Sequence, residues 1–441
     1  MNLGNASIAK LYLGTSLVTK IMLGTALAFS SQQPLRTIAT ENRIFYATNS
    51  RAKTKHIARA RFTVAGDASE MVLNFANLWL NLTGVGATNT GNAITVTKVA
   101  VEKDGTSQFS PVLFAGGRST TLSDGQYDVL SDPLMPSAFG LSKFSRGEHY
   151  WIRVELDIPL TTDKVPQTFR STSSLAGTKF AWLDPAVSTL TNGVDGVGAF
   201  TVTGTGLDEQ AYGYMPMMLG RFISANVNSF VCIGDSEHFG TGDTVSVNAG
   251  NGYGMFQRAM TAGDDLTDPL PSINLARLSC STPQFNNDWI RSYYKYANIL
   301  VDELGTNDIG LGTGNVTTIQ NNLLAIYSSF KAVQTNGKIV RTYLLPRTTS
   351  TDSWATLENQ ANPAGWGEGQ HSNLMNNWFD ARKLDGTVNA VVGRSSMNDA
   401  ASIYKWAVNG SANYMTADGL HPTMVGHVIR GAELRAVFLS V

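Results

Sequence analysis

The sequence predicts two folded units in series, an antiparallel β-sandwich of jelly-roll type followed by a three-layer α/β sandwich. The chain has 441 residues, enough for two or three domains that each bury a core. Residues 45–165 contain several short runs in which apolar and polar side chains alternate. From residue 230 onwards, short apolar runs alternate with amphipathic segments of helical period.

The first thirty residues carry a repeat of period ten, with Leu-Gly at Leu3, Leu13 and Leu23. Each repeat reads as a short strand closed by a Gly-containing turn, and three such units cannot bury a core alone. We therefore expect them to stack on one another or on neighbouring chains, and interpret residues 1–44 as an attachment segment. A signal peptide with its hydrophobic region at 21–29 is the alternative. The apolar pieces are too short for a membrane-spanning helix, which needs roughly 20 residues.

The β-sandwich is predicted from runs such as RARFTV, MVLNF, ITVTKVAVE and YWIRVELDI, separated by turns rich in Gly, Asp and Ser. Carbohydrate binding is a candidate role for this unit. Residues 166–228 contain Pro166 and a Gly-rich stretch at 193–206, and we interpret them as a strand-poor linker or partial extra layer.

The α/β unit is predicted to span residues 229–441, with parallel strands joined by right-handed crossovers. Strands are expected at Phe230–Ile233, Ile273–Leu278, Ala297–Leu304, Lys338–Leu345 and Ala390–Val392. Helices are expected near 251–262, 285–296, 315–335, 372–384 and 423–438. Ligands bind at the carboxyl ends of the strands in such sheets, so the residues following each strand are the candidates for a site.

Composition and charge exclude several classes of protein. The net charge of −1 argues against a general nucleic-acid binder, although residues 1–60 hold eight Lys or Arg against Glu41 alone. That basic stretch could contact an acidic partner or form a solvated face. The two cysteines, Cys232 and Cys280, provide neither a disulfide framework nor metal-ligand spacing. Charged residues are only 15% of the chain, which suits an extracellular or particle-borne protein that faces sugars.

Three short motifs lie where the predicted sheet would open its site. Gly-Asp-Ser236 follows the first strand, Gly-Thr-Asn307-Asp follows the third, and Asp418-Gly-Leu-His421 precedes the last helix. In this order, over residues 225–441, they resemble the GDSL or SGNH hydrolases. The resemblance implies a flavodoxin-like α/β sandwich and an esterase, lipase or carbohydrate deacetylase activity without metal or organic cofactor.

The resemblance also implies a role for each motif. Ser236 would be the nucleophile, His421 its general base, and Asp418 the carboxylate that orients the imidazole. The oxyanion hole would comprise the backbone N–H of Ser236, the side-chain amide of Asn307 and a backbone N–H from a glycine. The segment NLARLSCSTPQF has no glycine, so we take Ser279 as the candidate for the third donor, whose backbone N–H could serve if the loop avoids positive φ.

Four further residues are candidates for binding substrate. Glu237 and His238 follow the nucleophile and are predicted to line the pocket. Trp354 and Trp366 lie in the long segment 348–371, where flat rings could stack on sugars or pack in the core.

The function implied is a serine esterase that hydrolyses O-acetyl groups of a bacterial surface or extracellular polysaccharide. The N-terminal repeat is similar to those that begin some bacteriophage tail and receptor-binding proteins, which implies a virion-associated tailspike or tail-fibre protein, a virion partner for the N-terminal segment and a homotrimer. A secreted esterase shares most of these features. The alternatives are a virion protein that binds glycan without turnover, and a lipase or thioesterase for longer acyl chains.

Overall fold

In a computed structural model, most of the chain from residue 33 onwards is described. The described residues are 33–43, 47–49, 52–80, 87–170, 177–204, 208–210, 212–244, 253–262, 266–312 and 314–441, with short strands before residue 31.

The N-terminal repeat contains three antiparallel pairs of strands. The paired strands are Asn2–Leu3 with Ala6–Ser7, Leu11–Leu13 with Ser16–Val18, and Lys20–Leu23 with Ala26–Ser30. Leu11–Leu13 and Lys20–Leu23 lie within the predicted strand segments AKLYLG and TKIMLG, the second strand of each pair was not predicted, and the predicted Gly-containing turns lie outside the described residues. Stacking of the hairpins on neighbouring chains stays a prediction.

Two antiparallel sheets enclose the first large core. One contains, in order, Phe109–Pro111, Ile94–Lys103, His149–Asp157, Lys55–Thr63, Lys179–Leu183 and Asp208–Gln210, with Thr120–Leu122 also pairing to the second of these. The other contains Val129–Leu130, Ala68–Phe75, Met217–Phe222 and Arg36–Thr37. Phe62 and Val154 of the first sheet share a buried apolar cluster with Phe75 and Met218 of the second.

Two boundaries predicted from sequence are wrong. Residues 166–228 are not strand-poor, because Lys179–Leu183 and Met217–Phe222 pair within the two large sheets. An attachment segment cannot extend to residue 44, because Arg36–Thr37 joins one antiparallel sheet and Asn42–Arg43 joins the parallel sheet described next.

Smaller two-stranded pairs complete the β structure. They are Leu78–Leu80 with Ala87–Asn89, Ala47–Asn49 with Val165–Gln167, Phe169–Arg170 with Tyr212–Gly213, Ser188–Thr191 with Thr201–Gly204, Thr349–Ser350 with Gln360–Ala361, and Asn398–Asp399 with Ser402–Trp406.

A parallel sheet organises the second half of the chain. Its strands are β1 (Phe230–Ile233), β2 (Ser272–Asn274), β3 (Ile299–Asp302), β4 (Lys338–Thr342) and β5 (Ala390–Val392). Their order is β5-β4-β3-β1-β2, and Asn42–Arg43 forms the edge beside β2. Strands β1 and β5 have the bounds that the sequence predicts.

The helices are α1 (Ser236–Phe239), α2 (Met255–Thr261), α3 (Asp288–Tyr294), α4 (Thr306–Gly310), α5 (Val316–Val333), α6 (His371–Leu384) and α7 (Met424–Ser440), with 3₁₀ turns at Pro136–Phe139 and Thr282–Phe285. None of the helices in the described ranges combines the length and apolarity needed to cross a bilayer.

Successive side chains of β1 enter two different cores, as the two-residue period of a strand requires. Val231 and Ile233 belong to a cluster with residues of α3, α5 and α6, whereas Phe230 and Cys232 pack with residues of α2 and α7. Both faces of the parallel sheet are therefore covered, and a site is expected at the ends of its strands. Because the strands run in one direction, the loops that follow β1 and β3 meet at the same edge.

Candidate active site

Ser236 is the first residue of α1, at a sharp turn directly after β1. Asp235 caps this helix, and its Oδ1 accepts a 3.0 Å hydrogen bond from the backbone N–H of Glu237. The Ser236 side chain lies at the carboxyl edge of the sheet, and the residue is 7% exposed. The turn thus fixes a hydroxyl group at the carboxyl edge of the sheet, while the rest of the short helix is buried.

His421 joins Ser236 to Asp418 in a chain of hydrogen bonds. Its Nε2 lies 2.8 Å from Ser236 Oγ, and its Nδ1 lies 2.6 Å from Asp418 Oδ2. An imidazole that donates from Nδ1 to the carboxylate leaves Nε2 as an acceptor for the serine proton. The structure therefore brings together the three residues that the sequence assigns to a triad, although 182 residues separate Ser236 from Asp418.

The carboxylate of Asp418 is held ionised by its own loop. Burial alone would raise the pKa of Asp418, but hydrogen bonds from the His421 ring and from the backbone N–H groups of Leu420 and His421 hold it below its ordinary value. An ionised Asp418 stabilises positive charge on the imidazole during proton transfer.

Trp354 packs against the loop that carries Asp418 and His421. Its Nε1 donates to Thr348 Oγ1 at 2.9 Å, and the backbone N–H of Thr348 donates to Gly419 O at 3.0 Å. Gly419 has φ +76°, and a Cβ there would lie 2.8 Å from the Trp354 ring and overlap the carbonyl of Thr348. A glycine is therefore required where the loop contacts Trp354 and Thr348. The contact of Trp354 with substrate stays a prediction.

The side-chain amide of Asn307 reaches the nucleophile loop from α4. Its Nδ2 donates to Asp235 Oδ2 at 3.1 Å and to Cys280 O at 2.9 Å. Both amide hydrogens thus have acceptors in the structure, so an oxyanion would have to share or replace one of them. The backbone N–H groups of Ser236 and Ser279 have no acceptor among the residues that the structure describes.

The loop at Ser279 does not avoid positive φ, which is the condition that the sequence set for a donor at this position. Ser279 has φ +57°, a conformation that costs about 1–2 kcal/mol for a residue with a Cβ. Strand β2 ends early at Asn274, because Asn274 Oδ1 accepts from the backbone N–H of Ala276 and turns the chain. Ser279 thus occupies a position whose backbone favours glycine.

Three residues predicted to bind substrate are buried: Glu237 and His238 do not line an open pocket, and Trp366 takes the core position that the sequence left open as its alternative. Glu237 is 2% exposed, and His238 is fully buried with Nδ1 against Cys232 Sγ at 3.1 Å. Helix α1 turns both side chains inward, beneath the nucleophile. Trp366 is 4% exposed and packs in the cluster formed with α3, α5 and α6.

A cluster of three buried carboxyl groups lies under Ser236 and was not predicted from the sequence. Asp235, Glu237 and Glu303 have oxygen atoms within 4.8 Å of one another. The backbone N–H of Asp235 donates to Glu303 Oε2 at 2.8 Å, so Glu303 supports the turn that carries Ser236. Glu303 follows β3 directly, and an acidic residue at a strand end is the only signal that sequence offers for it.

The carboxyl cluster favours protons over a metal ion. Burial raises the pKa of Asp235 to about 6 and the pKa of Glu237 and Glu303 well above their usual range. Three close carboxylates could hold a cation, but the buried guanidinium groups of Arg341 and Arg430 interact electrostatically with Glu303 and Glu237. These cations oppose the entry of another positive charge, so shared protons fit the site better.

His427 links three elements behind the His421 loop. Its Nδ1 accepts from the backbone N–H of Met255 at 3.1 Å, and its Nε2 donates to Thr241 O at 2.8 Å. Burial lowers the pKa of His427, consistent with a neutral ring that both donates and accepts. The residue therefore positions the loop at 240–243 and is separate from the Ser236–His421 contact.

No family model matches this chain, and no curated protein matches it. Solved structures similar to parts of it include the psychrotrophic esterase EstA from Pseudoalteromonas sp., 15% identical with a TM-score of 0.34 over 48% of this chain and 97% of that one. A GDSL-like lipase from Bacteroides thetaiotaomicron VPI-5482 is 15% identical with a TM-score of 0.34, over 48% of this chain and 88% of that one. A member of the lipolytic protein G-D-S-L family from Veillonella parvula DSM 2008 is 15% identical with a TM-score of 0.33, over 48% of this chain and 99% of that one. At these identities and TM-scores the likeness does not decide the chemistry.

Proposed function

We propose that this protein is a serine ester hydrolase of the SGNH type. The observation that carries the proposal is the hydrogen-bonded chain Ser236–His421–Asp418, at 2.8 and 2.6 Å, at the carboxyl edge of the parallel sheet. A serine hydroxyl becomes nucleophilic at neutral pH when a base lies within hydrogen-bond reach, and His421 Nε2 meets that requirement.

The reaction follows from the positions of these groups. Ser236 Oγ attacks the ester carbonyl carbon while its proton passes to His421 Nε2. The tetrahedral intermediate collapses, the C–O bond to the alcohol breaks, and His421 returns the proton to the departing oxygen. Water then attacks the acyl-serine with His421 again as base, which releases the acid and restores Ser236. Negative charge on the intermediate is stabilised by the backbone N–H groups of Ser236 and Ser279 and by Asn307 Nδ2.

The finer assignment is a deacetylase of polysaccharide O-acetyl groups. It is supported by the low content of charged residues, 15% of the chain, and by the antiparallel unit ahead of the α/β unit. We propose that this unit is a jelly-roll-like β-sandwich that contributes to carbohydrate binding. We further propose that the N-terminal repeat attaches the protein to a virion or to further copies of the chain in a trimer. A secreted esterase is the alternative setting.

The test is release of p-nitrophenol from an acetyl ester by the wild type and by Ser236→Ala. We expect the rate of the variant to fall by at least 10³-fold with intact folding by circular dichroism. Equal rates would refute the hydrolase assignment. His421→Ala should show the same loss, and retained activity would mean that another group is the base.

Two observations favour a second candidate, a glycan-binding protein without turnover. Both Nδ2 hydrogens of Asn307 have acceptors within the protein, and Ser279 replaces a glycine in a left-handed position. Glycan binding without acetate release by the wild type would support it. Comparison of acetyl with octanoyl esters addresses the third candidate, because a preference for octanoyl would indicate a lipase or thioesterase.

A further inference from the structure

Arg347 follows β4 at the same edge of the parallel sheet as the candidate active site. The next residue, Thr348, hydrogen-bonds through its backbone N–H to Gly419 in the loop that carries Asp418 and His421. The backbone carbonyl of Arg347 accepts a 3.0 Å bond from Asn362 Nδ2, which also donates to Tyr404 O at 2.7 Å. The position of this arginine is therefore fixed from both sides.

The guanidinium of Arg347 is seated directly on Gly310, the last residue of α4. A Cβ at Gly310 would overlap Nη1 of Arg347. Gly310 does not have positive φ, so its backbone conformation does not require glycine, and glycine costs about 1 kcal/mol relative to alanine within a helix. Glycine leaves space here for the guanidinium, which a Cβ would displace. Gly310 lies three residues, about 5 Å along the helix, beyond the oxyanion candidate Asn307.

The side chain of Arg347 is partly exposed, and within the described ranges its guanidinium has neither a hydrogen bond nor an acidic partner. The Cζ atom of Arg347 lies 6.0 Å from the centroid of the Trp366 ring. Two other arginines of this unit differ, because Arg341 pairs with Asp302 and Arg430 with Glu433, whereas Arg394 after β5 donates to the Leu344 carbonyl. A planar cation whose backbone is fixed, and which has no counter-ion within the described ranges, is suited to the bidentate geometry of a carboxylate or sulfate.

We propose that Arg347 forms an anion subsite, so that the preferred substrate is an ester on an acidic polysaccharide, with a carboxylate or sulfate close to the scissile acyl group. That the bound glycan is a substrate rests on the proposed function, whereas binding of the acidic glycan does not depend on turnover. Arg347 would contact the anionic group and leave the reacting atoms to Ser236, His421 and Asn307.

Binding is measured first, by calorimetry on the Ser236→Ala protein with oligogalacturonate, a sulfated oligosaccharide and neutral xylo-oligosaccharide. We expect at least one acidic ligand to bind about tenfold or more tightly than the neutral one, and Arg347→Gln to remove that difference. A preference for oligogalacturonate assigns carboxylate, and one restricted to the sulfated ligand assigns sulfate. Equal affinity for all three ligands would overturn the proposal even if the protein is an active esterase.

The second experiment measures turnover. Its readout is the ratio of kcat/KM for acetylated polygalacturonate to kcat/KM for acetylated xylan. Losses common to both substrates cancel in this ratio. Arg347→Gln and Gly310→Ala should each lower it about tenfold, since the second displaces the guanidinium, and Arg347→Lys should lower it less. Lys383→Gln on α6 removes the same charge from an exposed position and should leave the ratio unchanged. An equal fall in Lys383→Gln would mean that net charge and not Arg347 selects the substrate.

Discussion

Replacing Asp235 by asparagine tests the buried carboxyl cluster beneath the nucleophile. Asp235 is fully buried, and burial raises its pKa to about 6 from an ordinary 3.8. A carboxyl group with a raised pKa favours the folded state in its neutral form. Its contribution is fully present below pH 3.8 and is lost as the pH rises through about 6.

The magnitude follows from the size of this shift. A difference of roughly two pKa units corresponds to about 3 kcal/mol, at about 1.36 kcal/mol for each unit. Asparagine carries no charge at any pH. The free energy of unfolding of Asp235→Asn, relative to that of the wild type, should therefore increase by about 3 kcal/mol as the pH rises from 4 to 8. The charge of Asp235 also raises the pKa of Glu237 and Glu303, and its removal acts in the same direction.

The assay is urea unfolding of both proteins at pH 4, 6 and 8, followed by tryptophan fluorescence. The pH-independent loss of the hydrogen bonds that Asp235 accepts adds the same amount to the difference between the two proteins at every pH, so the change of that difference with pH isolates the ionisation of Asp235. Asp288→Asn, at a side chain that is 89% exposed, is the matched control and should stay within about 0.5 kcal/mol of the wild type. A difference for Asp235→Asn that is constant across this range would refute the buried cluster.

Further predictions concern the site itself. Asp418→Asn should lower kcat by about 10³ to 10⁴ with little change in KM in steady-state esterase assays, and an unchanged kcat would exclude Asp418 as the orienting group. Ser279→Gly should raise the free energy of unfolding by about 1 kcal/mol and keep activity, because it relieves a left-handed φ; a loss of activity would assign a role to the serine side chain. Gly419→Ala should lower kcat by displacing the loop from Trp354, and a wild-type kcat would show that the contact is unimportant. Dialysis against EDTA should leave the esterase rate unchanged, whereas a loss restored by Ca²⁺ or Mg²⁺ would place an ion at the carboxyl cluster.

The parallel sheet was predictable because its strands are short apolar runs buried on both faces. Phe230–Ile233 and Ala390–Val392 have their predicted bounds, and the other strands are shorter than predicted. Strand β2 stops at Asn274, whose side chain bonds to the backbone N–H of Ala276. Apolar residues after that point pack from a turn, and an apolar pattern cannot distinguish the two cases.

The strands in residues 166–228 escaped prediction for two physical reasons. Met217–Phe222 is buried along nearly its whole length and shows no alternation of apolar and polar residues. Thr201–Gly204 is short and mostly exposed, and it exists because it pairs with Ser188–Thr191. Pairing partners that are distant in sequence, or polar, leave no local signal.

The motifs placed Ser236, Asn307, Asp418 and His421 near one another, but they could not give the direction of neighbouring side chains. Glu237 and His238 stand next to the nucleophile in sequence, yet the turn of α1 buries them. Glu303 and Arg347 belong to the loops after β3 and β4, and only the folded sheet shows which of them turns inward and which reaches the rim.

The most direct test of the central claim, that Ser236 is the nucleophile, is covalent labelling with diethyl p-nitrophenyl phosphate followed by mass spectrometry of the digested protein. We expect one phosphoryl adduct, on the peptide containing Ser236, formed in parallel with the loss of esterase activity and absent from Ser236→Ala and slow in His421→Ala. An adduct on another residue that accompanies the loss of activity, or an equally rapid phosphoryl adduct on Ser236→Ala, would contradict the proposed function.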